Sequence, residues 1–124
     1  DLEARRQVAL IHARSFAIDS YFEKLPEAPE TEGEEGRNRA ELEELKKLLR
    51  ELAAQGVERQ DFFQALIDLV AIHSEGFNND EIRAVFQEAS LEHHLEGRVL
   101  TPAFFGAKIA ALHRRRQERS HQHL

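Results

Sequence analysis

The sequence predicts an all-α fold: a single-domain bundle of about five helices with a long acidic loop between the first and the second. Three observations predict it. Apolar residues recur at helical spacing through most of the chain. No segment shows the sustained alternation or the clustered β-branched residues of a strand. Helix start and stop signals then leave only short connections among the last four helices, which favours antiparallel or steeply crossed neighbours. A chain of 124 residues is about one domain and can bury a real core.

The first helix is predicted from Ala4, Val8, Ile11, Ser15, Ile18, Phe22 and Leu25, whose 4-3 spacing makes one stripe. It should stop where Pro26, Pro29, Gly33 and Gly36 interrupt regular structure. The glutamates among them repel one another, so residues 26–37 read as a mobile, solvated loop. Asn38 is the expected cap of the second helix, with Glu41 completing a capping box. Leu42, Leu45, Leu49 and Leu52 form its stripe, Leu48 widens it, and Gly56 ends it in a left-handed conformation. The third helix, "QDFFQALIDLVAIH", is apolar on most sides and should be the most buried.

The fourth helix has the fullest start signal. Asn78 is the cap, Glu81 stands at the third helical position, and Phe77 and Ile82 have the spacing of a hydrophobic staple. It should run to about Glu96, with Gly97 as its stop. The fifth opens with Thr101 as cap and Pro102 at the first helical position. Phe105, Ile109 and Leu112 face its core side. Residues 114–124 form a basic tail, polar all round and expected to fray.

The net charge of −6 argues against a generic nucleic-acid binder. It is unevenly spread: −4 over residues 1–56, −7 over 57–97 and +5 over 98–124. With no cysteine there is no disulfide and no thiol chemistry. No apolar run approaches a membrane span, and no signal-peptide pattern opens the chain. We therefore expect a soluble, cytoplasmic protein without membrane contact. The start at Asp1 suggests a processed end or a piece of something larger.

Candidate chemistry centres on "SLEHHLEGR", where two adjacent histidines sit between two carboxylates, Glu92 and Glu96. On a helix His93 falls about 20° from Ile82 and His94 about 120°. His93 thus continues the core stripe while His94 faces solvent, and the two cannot chelate one ion together. His93 with Glu96 has helical chelating spacing but supplies only two ligands. His73, like His12 and His113, is expected at the core boundary. These histidines gathered across helices would make a metal-lined bundle, so His93, Glu96 and His73 are weak metal candidates. The alternation of Glu92, His94 and Glu96 before Gly97 has the spacing of a calcium loop, but Ala103 stands where the closing acid is needed.

No nucleophile elbow, phosphate-binding glycine loop or cysteine nucleophile is present. We expect no enzyme and no cofactor. Two surfaces stand out instead. Leu91 and Leu95 lie about 180° and 220° from Ile82, away from the core, and Phe104 likewise stands apart from Phe105 and Ile109. Arg114, Arg115, Arg116 and Arg119 cluster at a helix C-terminus. The expected function is a helical interaction or regulatory module that binds a protein partner or self-associates. Leu91, Leu95 and Phe104 would supply the buried face, and the arginines orientation and on-rate. An accessory nucleic-acid-binding module using the arginines is the alternative, and a histidine-lined metal bundle the second.

Overall fold

The computed structural model of the chain describes residues 1–122, and every regular element among them is helical. α1 (Leu2–Ser15) is capped by Asp1, whose carboxylate accepts from the Ala4 N–H at 2.8 Å. The helix then breaks. Ala17 adopts a left-handed conformation (φ 59°, ψ 31°), and a separate short helix, α2 (Ile18–Glu23), follows. The continuous first helix of the sequence reading is therefore two, which raises the count from five to six.

The break also shifts the buried face. Ile11 is 63% exposed, whereas Ala9 and Ala13 are fully buried. Small side chains let the α1 backbone lie close against two helices further along the chain, and a stripe chosen by large apolar residues does not reveal such a contact. Beyond the break Ile18 and Phe22 are buried, as their spacing predicts.

The acidic segment is anchored. A 3-10 turn (Glu34–Gly36) leads into α3 (Arg37–Ala54), and Gly36, left-handed at φ 73°, stands in the cap position. Asn38 is thus not a cap. It lies in the first turn, 1% exposed, on the same face as Leu42, Leu45 and Leu49. Its amide donates to the carbonyls of Thr31 and Glu96, each at 2.9 Å. The Thr31 hydroxyl donates to the same Glu96 carbonyl at 2.9 Å. A buried amide needs such partners, and here they tie the segment to the helix that ends at Glu96. Gly97 makes the approach possible. A Cβ there would meet Thr31 Oγ at 2.6 Å, and its φ of 70° disfavours side chains besides.

α4 (Arg59–His73) opens with a capping box of Glu58 and Asp61. It runs antiparallel to α1, pinned at one end by Arg5 Nε donating to the Ala71 carbonyl at 2.8 Å. At the other end an Arg59 guanidinium N–H donates to the Phe22 carbonyl at 2.8 Å. α5 (Asn79–Glu96) carries the predicted capping box, with the Asn78 side chain accepting from Glu81 N–H at 2.8 Å and Gly97 left-handed at its end. α6 (Pro102–Gln122) starts at Thr101, whose hydroxyl accepts from Phe104 N–H at 3.0 Å. The helix continues to Gln122 through most of the basic tail, and the last two residues of that tail lie outside the described residues.

Phe22, Phe86 and Phe105 are fully buried in one core with Ile67, Val70 and Val85. α1, α4, α5 and α6 lie close along one another, and α2 lies against α1 and α4. α3 is different. It is the one long helix whose backbone runs alongside no other. Leu42, Leu45 and Leu49, each at most 2% exposed, reach across to the core. None of the described helices is long and apolar enough to cross a membrane.

Candidate functional site

Because α3 stands off, an open groove of about 790 Å³ separates it from α6. Its apolar lining comes from Leu45 and Leu48 on α3 and from Phe104, Ala107 and Ala111 on α6. The alanines are a turn apart, so Phe104 is the one bulky apolar side chain that α6 puts on this lining. Charges rim the groove with opposite bias. The α3 wall carries Arg37, Glu41 and Glu44; the other carries Glu92, Arg98 and Lys108. Arg37 Nε pairs with Glu41 at 3.0 Å, and Glu92 takes both Lys108 and, at 3.8 Å, Arg98. Glu44 has no ion-pair partner among the described residues. The Nε of Arg98 is buried without a hydrogen-bond partner among them.

Phe104, expected on the outer face, is 5% exposed. Its ring packs edge-on against Phe105, with centroids 5.6 Å apart, and lies under the side chain of Arg98, which comes from outside α6 and which helical phase does not reveal. The ring forms part of the groove wall, with the Arg98 guanidinium 5.2 Å and the Lys108 ammonium 5.5 Å from its centre. Such stacking holds both cations at the groove mouth. Leu91 and Leu95 are where the sequence places them, 51% and 77% exposed on the outer side of α5. Glu92, which lines the groove, stands one residue from Leu91 and about 60° around the helix from Leu95. Leu95 is therefore turned nearer to the groove than Leu91, which stands about 100° around the helix from Glu92, and neither lines it.

The arginine cluster divides. Arg115 reaches Glu88 at 3.6 Å, and Arg116 pairs with Glu81 at 3.2 Å while lying 5.7 Å from the centre of the Phe77 ring. The basic end of α6 thus neutralises the acidic side of its own neighbour. Arg114 and Arg119 are exposed and form no ion pair with the described residues.

The histidines are not brought together. His93 Nδ1 donates to the Arg98 carbonyl at 3.0 Å, since a carbonyl can only accept. Its ring packs edge-on against Tyr21, with centroids 4.9 Å apart. His113 Nε2 donates to the His73 carbonyl at 2.8 Å, while the His73 ring itself is exposed and not at the core boundary. His12 lies 2.6 Å from Asn79 Oδ1. His94 faces solvent, and so does the side chain of Glu96, whose carbonyl holds the acidic segment. Among the described residues no three histidine or carboxylate side chains gather where they could hold a metal ion. His93, Glu96 and His73, the weak metal candidates, therefore do not converge.

Tyr21 joins three elements beside this histidine. Its hydroxyl accepts from the Leu100 N–H at 3.1 Å. Burial pushes its ionisation above the ordinary tyrosine value, the Leu100 hydrogen bond offsets part of that, and the charge of Glu41 adds to it. Asn38 is the structural residue that the sequence reading misplaced. Its signal was there: it falls four residues before Leu42, on the same stripe. The chain matches no family model, no curated protein and no solved structure.

Proposed function

We propose that the chain is a non-enzymatic helical interaction module that binds a protein through the α3–α6 groove and the exposed Leu91 and Leu95 of α5. The observation that carries it is the open, apolar-lined groove between α3 and α6, on a molecule that also exposes two leucines one turn apart on α5. Grooves between helices receive the apolar stripe of another helix, read as anchors three and four residues apart. Apolar surface of this kind marks a contact site when it is contiguous and rimmed by polar groups. The arginine cluster supports a nucleic-acid role less well, because Arg115 and Arg116 are engaged by Glu88 and Glu81.

A photo-crosslinking amino acid at Ala107, on the groove lining, tests this function in cells that express the chain. Protein adducts are expected from position 107 and not from the exposed position of Lys47, and they should be lost when Leu91 and Leu95 are both changed to serine. An absence of any protein adduct at position 107 sinks the proposal.

A further inference from the structure

We infer that α3 is a flap whose far end swings onto α6, so that the groove alternates between an open and a closed form. As regulation of the groove as a binding site, this rests on the function proposed above; the movement itself does not.

The attachments of α3 define the hinge. Its first turn is fixed to the end of α5 by the Asn38 amide. Its far end has no such anchor. The backbone N–H groups of residues 55–57 return to the Leu52 and Ala53 carbonyls of α3 itself. Gly56, left-handed at φ 87°, has nothing within 4 Å of where a Cβ would stand. Between these ends the α3 backbone runs alongside no other helix. Such short links at element ends are where hinge motions are absorbed. Leu42, Leu45 and Leu49 point about 100° around α3 from Glu41, Glu44 and Leu48. A sideways swing therefore slides the three leucines across the core and does not lift them out.

The walls are matched for closing. Leu48 is 39% exposed on the α3 side. Opposite it α6 presents Ala103, Ala107 and Ala111, each a turn from the next. Ala9 and Ala13 serve α1 in the same way, where the backbone lies close to its neighbours. Burying Leu48 against these alanines favours the closed form. The charges lack what closure supplies. Glu44 has no ion-pair partner among the described residues. Across the groove Arg98 stands 3.8 Å from Glu92, beyond hydrogen-bond reach, and its Nε has no partner among those residues. Closure brings Glu44 to this guanidinium.

The chain contains no cysteine, which makes the test direct. The double variant Leu48→Cys with Ala107→Cys is oxidised with glutathione disulfide at high dilution. A disulfide needs Cα atoms about 4.4–6.8 Å apart, so it traps the closed form. Loss of both thiols at an unchanged mass of 14.3 kDa is expected. Adding Glu44→Gln should slow that loss by about two- to fivefold, as for a partly exposed ion pair. Two thiols that stay free, or a rate indifferent to Glu44→Gln, overturn the inference. Spin labels at the exposed positions 51 and 114 leave the groove lining untouched and should give two distances; a single distance also overturns it. All of this is read on the isolated chain, whereas the function proposed above is read from protein adducts at position 107 in cells. A flap that does not move therefore leaves that function standing, and adducts that do not form leave the flap standing.

Discussion

The two sides of this molecule are held together by different means. On one side α1, α4, α5 and α6 approach backbone to backbone, with fully buried phenylalanines and alanines at the contacts. On the other, α3 is held at arm's length by three leucines and by one amide, that of Asn38, at its first turn. The first side fills its interior; the second leaves the groove. The surface that can bind thus arises where packing is incomplete, and the well-packed side serves as its rigid base.

The comparison can be broken most sharply in the core. Phe105→Ala, at a fully buried position, should cost about 3–5 kcal/mol, a large share of the usual 5–15 kcal/mol. Urea denaturation should show the loss as a lowered midpoint, and a loss below about 1 kcal/mol would mean that the core is not where we place it. Asn38→Ala should cost less, about 1–3 kcal/mol, by leaving the Glu96 carbonyl with the Thr31 hydroxyl alone. Its effect should be local. Amide exchange should accelerate in α3 and the segment before it while α4 and α6 stay protected. Uniform acceleration would mean that the two sides are one cooperative unit.

The smallest expected effect concerns pH. Tyr21 is the one tyrosine, and there is no tryptophan, so tyrosinate absorbance reports it alone. Its folded value is raised by burial. The unfolded chain therefore releases this proton first, at the ordinary value of about 10. The associated stability is complete below that pH and is lost as pH rises through the folded value. Absorbance should rise at higher pH in the native chain than in urea; coincident curves would show that the Tyr21 ring is not enclosed.

How much of this was legible in the residues follows from what each feature depends on. The caps at Asn78 and Thr101 are local: a side chain meets a backbone group three residues away, so spacing alone predicts them. The exposure of Leu91 and Leu95 was legible because helical phase decides it within one element. The break at Ala17 was not, since a left-handed alanine is disfavoured locally and is held in place by the helices around it. Nor was the burial of Phe104, whose ring lies under Arg98 from the connection before its own helix. The groove exists only between elements distant in sequence, and no periodicity records the distance between two helices.

The carbonyl of Glu96 has a consequence in time. It accepts from Thr31 and Asn38, which precede it by 65 and 58 residues. On a ribosome adding about 5–20 residues per second, Asn38 emerges several seconds before its partner is made. During that interval the amide has no native acceptor in the growing chain, and α3 has no partner for its leucines on α6. The acidic segment before it, strongly charged and rich in turn residues, keeps this waiting stretch hydrated. α3 should therefore be the last helix to settle, and the groove it defines the last feature of the domain to form.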